Sequence, residues 1–531
     1  MNTLYLGDCL NVLRESIKDE SVDLIYIDPP FNSKRDYNIF FDDKEIQTQR
    51  VAFEDTWTLK NIQDSLAELQ TMQTEKIHLL LAVYQKVAPP AFPYLVMMAL
   101  RIVELHRVLK PTGSFYLHCD PTMSHYLKTI CDIIFDPDNF KSEISWRRSN
   151  PKGHAFTRYA SCHDVIFFYS KDHSRSLWNS PYKAYDEERA SQQYSLVDQD
   201  GRRYQLTSLL NPNPNRPNLT YSFKGVKKVW RWTKERMQEE DAKGRIVIPK
   251  GGKRIPRYKR YLDEQEGIPV DDFWDDIKFV AGNESLGYPT QKPKALMERI
   301  ISASSNKGDV VLDAFCGCGT TIDAAEGLHR KWIGIDISPI AFSLIKRRLQ
   351  NSYKGSLSKF EIRGTPEDFE RAQRLWKENA FAFQDWWITE FEAFSSTFGT
   401  KGADEGVDGI ALYAVDNKGT TARVAYQVKG GYKVQSKDID ALLGAMEKHK
   451  CELGVFLTAS DPTKPMLDTV AGAGFVKFGD KHAHFEFPKL QVLTLKDYFA
   501  GKRPKLPQTN ITFKAAKHSG KKKESQEALE L

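Results

Sequence analysis

Two apolar runs, far apart in the chain, each break off at residues that have chemistry to do. Val22 to Ile27 ends in Asp28-Pro29-Pro30-Phe31, and Val310 to Leu312 runs into Asp313-Ala314-Phe315-Cys316-Gly317-Cys318-Gly319. Short runs rich in Val, Ile and Leu between helical segments are buried parallel strands, and such sheets carry their functional groups at the carboxyl ends. Leu4 to Leu6 closes at Gly7-Asp8, after which Leu10, Leu13 and Ile17 recur at helical spacing. A helical stretch around Met97 to Val108 precedes Lys110-Pro111-Thr112-Gly113 and a strand from Ser114 to Leu117. Further on, Thr320 opens a helix and Trp332 to Ile335 is a strand ending at Asp336. The expected fold is therefore α/β, Rossmann-like, with one sheet split into two halves along the sequence.

The 531 residues exceed a single core at a soft prior of ~150 residues per domain. Six segments are expected: 1–140 and 281–352 as the two halves of the split domain, 141–280 as an insert, 353–385 as a linker, 386–505 as a second α/β domain, and 506–531 as a basic, disordered tail holding Lys521-Lys522-Lys523. The net charge of +6 is concentrated in the insert, where 27 Lys and Arg face 19 Asp and Glu between Lys141 and Val280. That stretch also holds Trp146, Trp178, Trp230, Trp232 and Trp274, half of all the tryptophans. Basic residues interleaved with aromatics suit phosphate contacts and base stacking; a solvated basic face is the plainer alternative. Seven cysteines without a CxxC pair read as reduced thiols, with neither a disulfide framework nor a zinc site. No long apolar run and no basic-then-apolar leader at Met1 is found, so a cytoplasmic location without membrane contact is expected.

The chemistry of the first motif lies in its acceptors. Asp28 and the carbonyl of Pro29 could accept both N–H groups of a planar amine, drawing its delocalised lone pair toward a nucleophilic geometry. Successive prolines fix the backbone and remove competing amide donors, and Phe31 could stack on an extruded base. Alone, the motif could equally be an Asp-Pro-Pro turn capping a strand. In the second motif, Gly317 and Gly319 allow a tight turn and close approach to a ligand, and the following helix offers N–H groups to a carboxylate such as that of S-adenosylmethionine. Asp336 ends the next strand, as an acid that bonds a ribose diol does in this topology. A lone GxG loop could also be a plain turn or a dinucleotide site.

From Met1 to about Leu349 the chain resembles the β group of DNA amino-methyltransferases, in which the catalytic half precedes the cofactor half. The resemblance rests on LGDCLNVL, DLIYIDPPFN, the basic insert, GYPTQKPKALMERII, DAFCGCGTT and GIDIS, in that order. It implies a target recognition region in the insert, double-stranded DNA as partner and S-adenosylmethionine as cofactor. Thr290, Lys292 and Pro293 would lie near the methionine moiety, Asp313, Phe315, Gly317 and Gly319 would form the cofactor loop, and Asp336 would hold the ribose. Asp28, Pro29, Pro30 and Phe31 would be the catalytic set. A leading Asp goes with adenine N6 in such enzymes and a leading Ser with cytosine N4, so the implied activity is site-specific adenine-N6 methylation within restriction-modification, with cytosine N4 as the alternative.

From Trp386 the sequence resembles Mrr-type restriction endonucleases of the PD-(D/E)xK fold, with Glu392 on the first helix, Asp408 opening a strand and Gln427-x-Lys429 on the next. Such a set could hold Mg²⁺, with Asp408 as a ligand and Lys429 stabilising developing charge. Gln427 stands where Glu is frequent in the family. This leaves a bifunctional nuclease and methylase as one alternative and a DNA-binding accessory with both sites silent as another. The partner left open is a second copy of the chain, as a homodimer, or a restriction subunit.

Overall fold

The computed structural model describes residues 1–30, 37–43, 46–53, 62–71, 75–151, 157–249, 255–280, 282–286, 288, 290–391, 393–395, 406–415, 421–431, 434–479, 484–507 and 509–510. They fall into two compact units, Ser180–Asp271 and the remainder.

The larger unit is built on a nine-stranded sheet in the order Phe273–Trp274, Phe140–Arg147, His163–Ser170, Leu109–Cys119, Val22–Ile27, Val310–Asp313, Lys331–Asp336, Asn2–Leu6, Phe360–Arg363. The two motif-bearing strands are direct neighbours: Val311 stands opposite Leu24 and Leu312 opposite Ile25, in parallel. Leu24, Ile25 and Ile27 are all fully buried, as a central parallel strand requires. The first helix, Cys9–Ser16, is capped by Asp8, whose carboxylate accepts from the amides of Leu10 and Asn11. The helix Phe92–Val108 is apolar on nearly every side because it lies inside the protein, burying Leu95, Leu100 and Leu105 completely. Each of those leucines contributes about 1.5–3 kcal/mol of transfer free energy.

The expected insert is wider than the compact unit that replaces it. Phe140–Arg147 and His163–Ser170 pair antiparallel with each other, and the latter with Leu109–Cys119, so both belong to the main sheet. Trp146 and Trp274 therefore serve the sheet and are buried, and Trp230 is buried in the smaller unit's own core, so these three are not available to stack on bases. Trp178 remains half exposed.

The unit Ser180–Asp271 carries a four-stranded sheet, Ile246–Val247, Arg257–Tyr261, Arg203–Ser208 and Leu196–Val197, and two hairpin pairs. Leu209, Phe223, Trp230, Met237 and Ile246 form its small core. Among its described residues it also has two helices, Glu187–Gln193 and Lys234–Ala242, whose caps Asp186 and Thr233 accept from the amides of Arg189 and Arg236. Part of its basic charge is used internally: Arg202 binds both Asp263 and Glu264, and Arg236 lies 4.4 Å over the Trp232 ring.

The segment 353–385 is not a linker. Phe360–Arg363 is the ninth strand of the main sheet, and the helices Phe369–Glu378 and Ala380–Thr389 place Ala372, Phe383, Trp386 and Trp387 in the second core. Its polar composition misled because the first of these helices buries only one narrow face. The second sheet runs Phe394–Ser395, Gly409–Ala414, Thr421–Lys429, Leu453–Thr458, Leu490–Thr494, with Thr509–Asn510 pairing to Gly409–Ala414. The rest of the expected tail, 508 and 511–531, lies outside the described residues. Among the described residues no helix is long and apolar enough to cross a membrane.

Candidate active site

Four adjacent parallel strands, Val22–Ile27, Val310–Asp313, Lys331–Asp336 and Asn2–Leu6, deliver Asp28, Asp313, Asp336 and Asp8 to one edge of the sheet. Like charges collected in a sheet edge must be neutralised, protonated or hydrogen-bonded, and each of the four is handled differently. Oδ2 of Asp28 accepts from Lys292 Nζ, whose ammonium also reaches the carbonyl of Thr290 at 3.4 Å. Oδ1 of Asp28 is buried and has no hydrogen-bond partner among the described residues. Such an orphaned acceptor costs about 1–3 kcal/mol unless a ligand supplies the donor. Pro29 is buried behind it, Pro30 half-buried, and Phe31 lies outside the described residues.

Asp313 turns inward. Its oxygens accept from Thr321 Oγ1 at 2.5 Å and from the Phe315 amide at 3.0 Å, yet full burial still lifts its pKa to about 7. Asp336 accepts from the amides of Gly317 and Ser338, both at 2.8 Å, and burial lifts it to about 6 against those donors. The carboxylate expected to face a ribose is thus also the clamp that sets the glycine loop. Asp8 pairs with Arg101 at 2.6 Å, and Arg101 in turn contacts Cys9 Sγ at 3.1 Å.

The loop needs its glycines. Gly317 has φ +47°, and a Cβ there would lie 3.2 Å from the Tyr288 ring; Gly319 has φ +75°, and a Cβ would come within 2.6 Å of Ile345. Behind it the helix Thr320–Gly327 is tied to the helix Pro339–Tyr353 by Arg348, which binds Asp323 at 2.8 Å and Thr320 Oγ1 at 2.9 Å, while Lys294 reaches Asp323 at 3.0 Å. Burial raises the thiols of Cys316 and Cys318, so neither loop cysteine is an ionised nucleophile. Pro293 caps the helix Lys294–Ser304 and brings Lys292 and Thr290 to the Asp28 side. The cradle left bare of side chains, a helix amino terminus and flanking carboxylates together fit a ligand carrying both a carboxylate and cationic or hydroxyl groups.

The sequence reading missed a second polar network beside Asp28. Tyr26 Oη lies 2.9 Å from His118 Nδ1, His118 Nε2 lies 3.2 Å from Asp164 Oδ2, and Arg148 Nε stands 3.0 Å from Asp164 Oδ1 as an ion pair without an aligned hydrogen bond. Tyr26, His118 and Asp164 are all buried. The available signal was register: Tyr26 faces Tyr116 across one strand pair, and His118 faces Ile166 across the next.

In the second sheet, Asp408, Gln427 and Lys429 do come together. Asp408 precedes the strand Gly409–Ala414, whose Gly409 stands opposite Tyr426. However, both oxygens of Asp408 are engaged, one by Gln384 Nε2 at 2.9 Å and the other by the Val428 amide at 2.6 Å. Gln427 Oε1 is buried without a hydrogen-bond partner among the described residues, and Glu392 lies outside them. Among the described residues no group of three or more His, Cys, Asp and Glu could hold a metal ion.

A model of the family described as DNA methylase matches residues 22–347, and one described as restriction endonuclease matches 383–482. The type II methyltransferase M.EcaI of Enterobacter cloacae is 34% identical over 261 residues, 48% of this chain and 57% of that protein. The Mod subunit of the type III restriction-modification enzyme StyLTI of Salmonella typhimurium is 25% identical over 348 residues, 62% of this chain and half of that protein. The DNA adenine methyltransferase YhdJ of Escherichia coli is 26% identical over 347 residues, 65% of this chain and 82% of that protein. This chain therefore spans little more than half the length of the first two.

Proposed function

The chain belongs to the DNA methylase family, whose model covers more than half of it, and from that premise we propose that it methylates an exocyclic amine of double-stranded DNA, adenine N6, with cytosine N4 as the alternative. The observation that carries the proposal is Oδ1 of Asp28, a buried acceptor without a partner among the described residues, beside an oxygen already held by Lys292.

Oδ1 of Asp28 receives one amine N–H and the carbonyl of Pro29 the other, which localises the lone pair on nitrogen. Lys292 holds Oδ2, keeping the carboxylate turned so that Oδ1 faces the base. Phe31 stacks on the extruded base, whose unpairing costs a few kcal/mol. S-adenosylmethionine, when bound, supplies an electrophilic methyl group on a sulfonium. Gly317, Gly319 and Phe315 border its cradle, and Asp313 props the loop through Thr321 and Phe315. Asp336 clamps Gly317 and holds the ribose, and Thr290, Lys292 and Pro293 flank the methionine moiety. The unit Ser180–Asp271 reads the target. YhdJ, named as a DNA adenine methyltransferase, supports adenine. Purified protein with tritiated S-adenosylmethionine and mixed DNA is expected to yield labelled N6-methyladenine. Labelled N4-methylcytosine would overturn the base assignment, and unlabelled DNA the reaction.

A second reading, favoured by the restriction endonuclease match over 383–482, adds DNA cleavage. Among the described residues no group of three or more acidic, His or Cys side chains gathers there to hold a metal, and Asp408 already accepts from Gln384 and the Val428 amide. Cleavage of unmethylated DNA that requires Mg²⁺ and disappears in Lys429→Ala would support nuclease action. Intact DNA under those conditions would leave the domain a DNA-gripping role.

A further inference from the structure

Resting on the methylation reading of Asp28, we infer that Arg148, anchored by the buried chain Asp164–His118–Tyr26, is a clamp for a backbone phosphate of the DNA strand that delivers its base to Asp28.

The sheet edge that holds Asp28 carries the cradle's carboxylates on one side of it and arginines on the other. On the first side, the next three strands bring Asp313, Asp336 and Asp8. On the second side lie Leu109–Cys119, His163–Ser170 and Phe140–Arg147, in that order. Leu109–Cys119 runs parallel to Val22–Ile27, with Leu117 opposite Ile27. The other two alternate in direction, with Val165 opposite Cys119 and His163 opposite Arg147. That register brings Arg147 and Arg148 to the same edge as Asp28. Asp120, which follows Leu109–Cys119, is turned onto the Thr122 hydroxyl and the Met123 amide. With the cofactor on the carboxylate side, a DNA strand reaches Asp28 from the other, where a polyanion meets the arginines. Asp164 lies on the second strand over from Val22–Ile27, on the order of 10 Å away at two strand spacings.

Arg148 is held there by a buried support. Its Nε stands 3.0 Å from Oδ1 of Asp164, Oδ2 of Asp164 lies 3.2 Å from His118 Nε2, and His118 Nδ1 lies 2.9 Å from Tyr26 Oη. Asp164, His118 and Tyr26 are all buried, so the anchor is fixed in the sheet. The Arg148 side chain itself is 41% exposed, and its guanidinium N–H groups find no hydrogen-bond acceptor among the described residues. A planar fork with open donors, held beside a fixed carboxylate, matches the two free oxygens of a phosphodiester. Phosphate contacts fix register and orientation on DNA, which is what an extruded base needs in order to meet Oδ1 of Asp28.

Methyl transfer by wild type is measured first, and an unmodified duplex carrying the methylated context is then bound between about 50 and 200 mM salt. Cofactor affinity and melting temperature are recorded for every variant. Arg148→Gln is expected to weaken duplex binding about tenfold and to make the plot of log Kd against log salt shallower by about 0.9, the share of one phosphate. Arg148→Lys keeps the charge and is expected to keep the slope. Because Arg148→Gln leaves Asp164 buried without its cation, the double variant Arg148→Gln with Asp164→Asn removes both charges together. Its slope is expected to be as shallow as that of Arg148→Gln, since relieving the buried carboxylate does not replace a phosphate contact.

A wild-type slope in Arg148→Gln, or recovery of wild-type slope and affinity in the double variant, would mark Arg148 as the counterion of Asp164 alone and overturn the inference. So would a slope in Arg148→Lys as shallow as in Arg148→Gln. Those results leave the methylation reading standing; absence of transfer by wild type would overturn both.

Discussion

The two acidic sites of this chain sit in similar places and are finished differently. Asp28 follows the strand Val22–Ile27 and Asp408 precedes the strand Gly409–Ala414, each in an α/β sheet. Among the described residues, Asp28 uses one oxygen on Lys292 and leaves the other open, whereas both oxygens of Asp408 accept, from Gln384 and Val428. An open buried acceptor is costly and persists where a ligand completes it; a doubly satisfied one contributes to folding whatever else it does. The contrast teaches that matching motif letters is weaker evidence of chemistry than the state of the lone pairs.

The contrast can be broken most easily at Asp28 itself. Asp28→Ala is expected to reduce methyl transfer about 10²–10³-fold while S-adenosylmethionine still binds, as the loss of one preorganised partner predicts; near-normal transfer would make the open oxygen irrelevant. Next in size, Lys292→Ala should lower kcat about tenfold or more, because Oδ2 loses the cation that orients it, and the loss should appear in single-turnover rates. Asp408→Ala should act on folding instead. It leaves the Val428 amide buried without its acceptor, a destabilisation of about 1–3 kcal/mol, with methyl transfer per folded molecule retained. Denaturation followed by a probe in the C-terminal sheet measures the first part, and kcat the second.

A last effect, on stability alone, concerns Asp313. Its pKa is raised to about 7 by burial, above the ordinary 3.8, so the folded state holds this proton more tightly than the unfolded chain. The stabilisation this gives is complete below about pH 4 and is lost as pH rises through about 7. Asp313→Asn should flatten the fall in stability over that interval, changing the difference between pH 5 and pH 8 by about 2–3 kcal/mol. An unchanged slope in urea titrations at the two pH values would assign the dependence elsewhere.

How much of this was legible in the sequence depended on whether contacts were local. The strands ending at Asp28, Asp313 and Asp336 could be read because continuous Val, Ile and Leu runs have one physical meaning in an α/β chain. Phe140–Arg147 alternates buried and exposed residues at the outer part of the sheet, so it looked like part of the insert. The helices at 369–389 were hidden because a polar surface and a narrow apolar face resemble a linker. Tyr26, His118 and Asp164 converge only through strand register, which no spacing along the chain encodes. For the same reason His118 gives no sign in the sequence of its polar neighbours Tyr26 and Asp164. Phe31 and Glu392 lie outside the described residues, so their expected roles rest on motif position alone.

The most direct measurement is base-resolved mapping of DNA exposed to the purified chain and S-adenosylmethionine, beside DNA exposed to Asp28→Ala. The account predicts N6-methyladenine recurring in one sequence context with wild type and absent with the variant. Unmodified DNA with wild type, or an undiminished mark with Asp28→Ala, would contradict it.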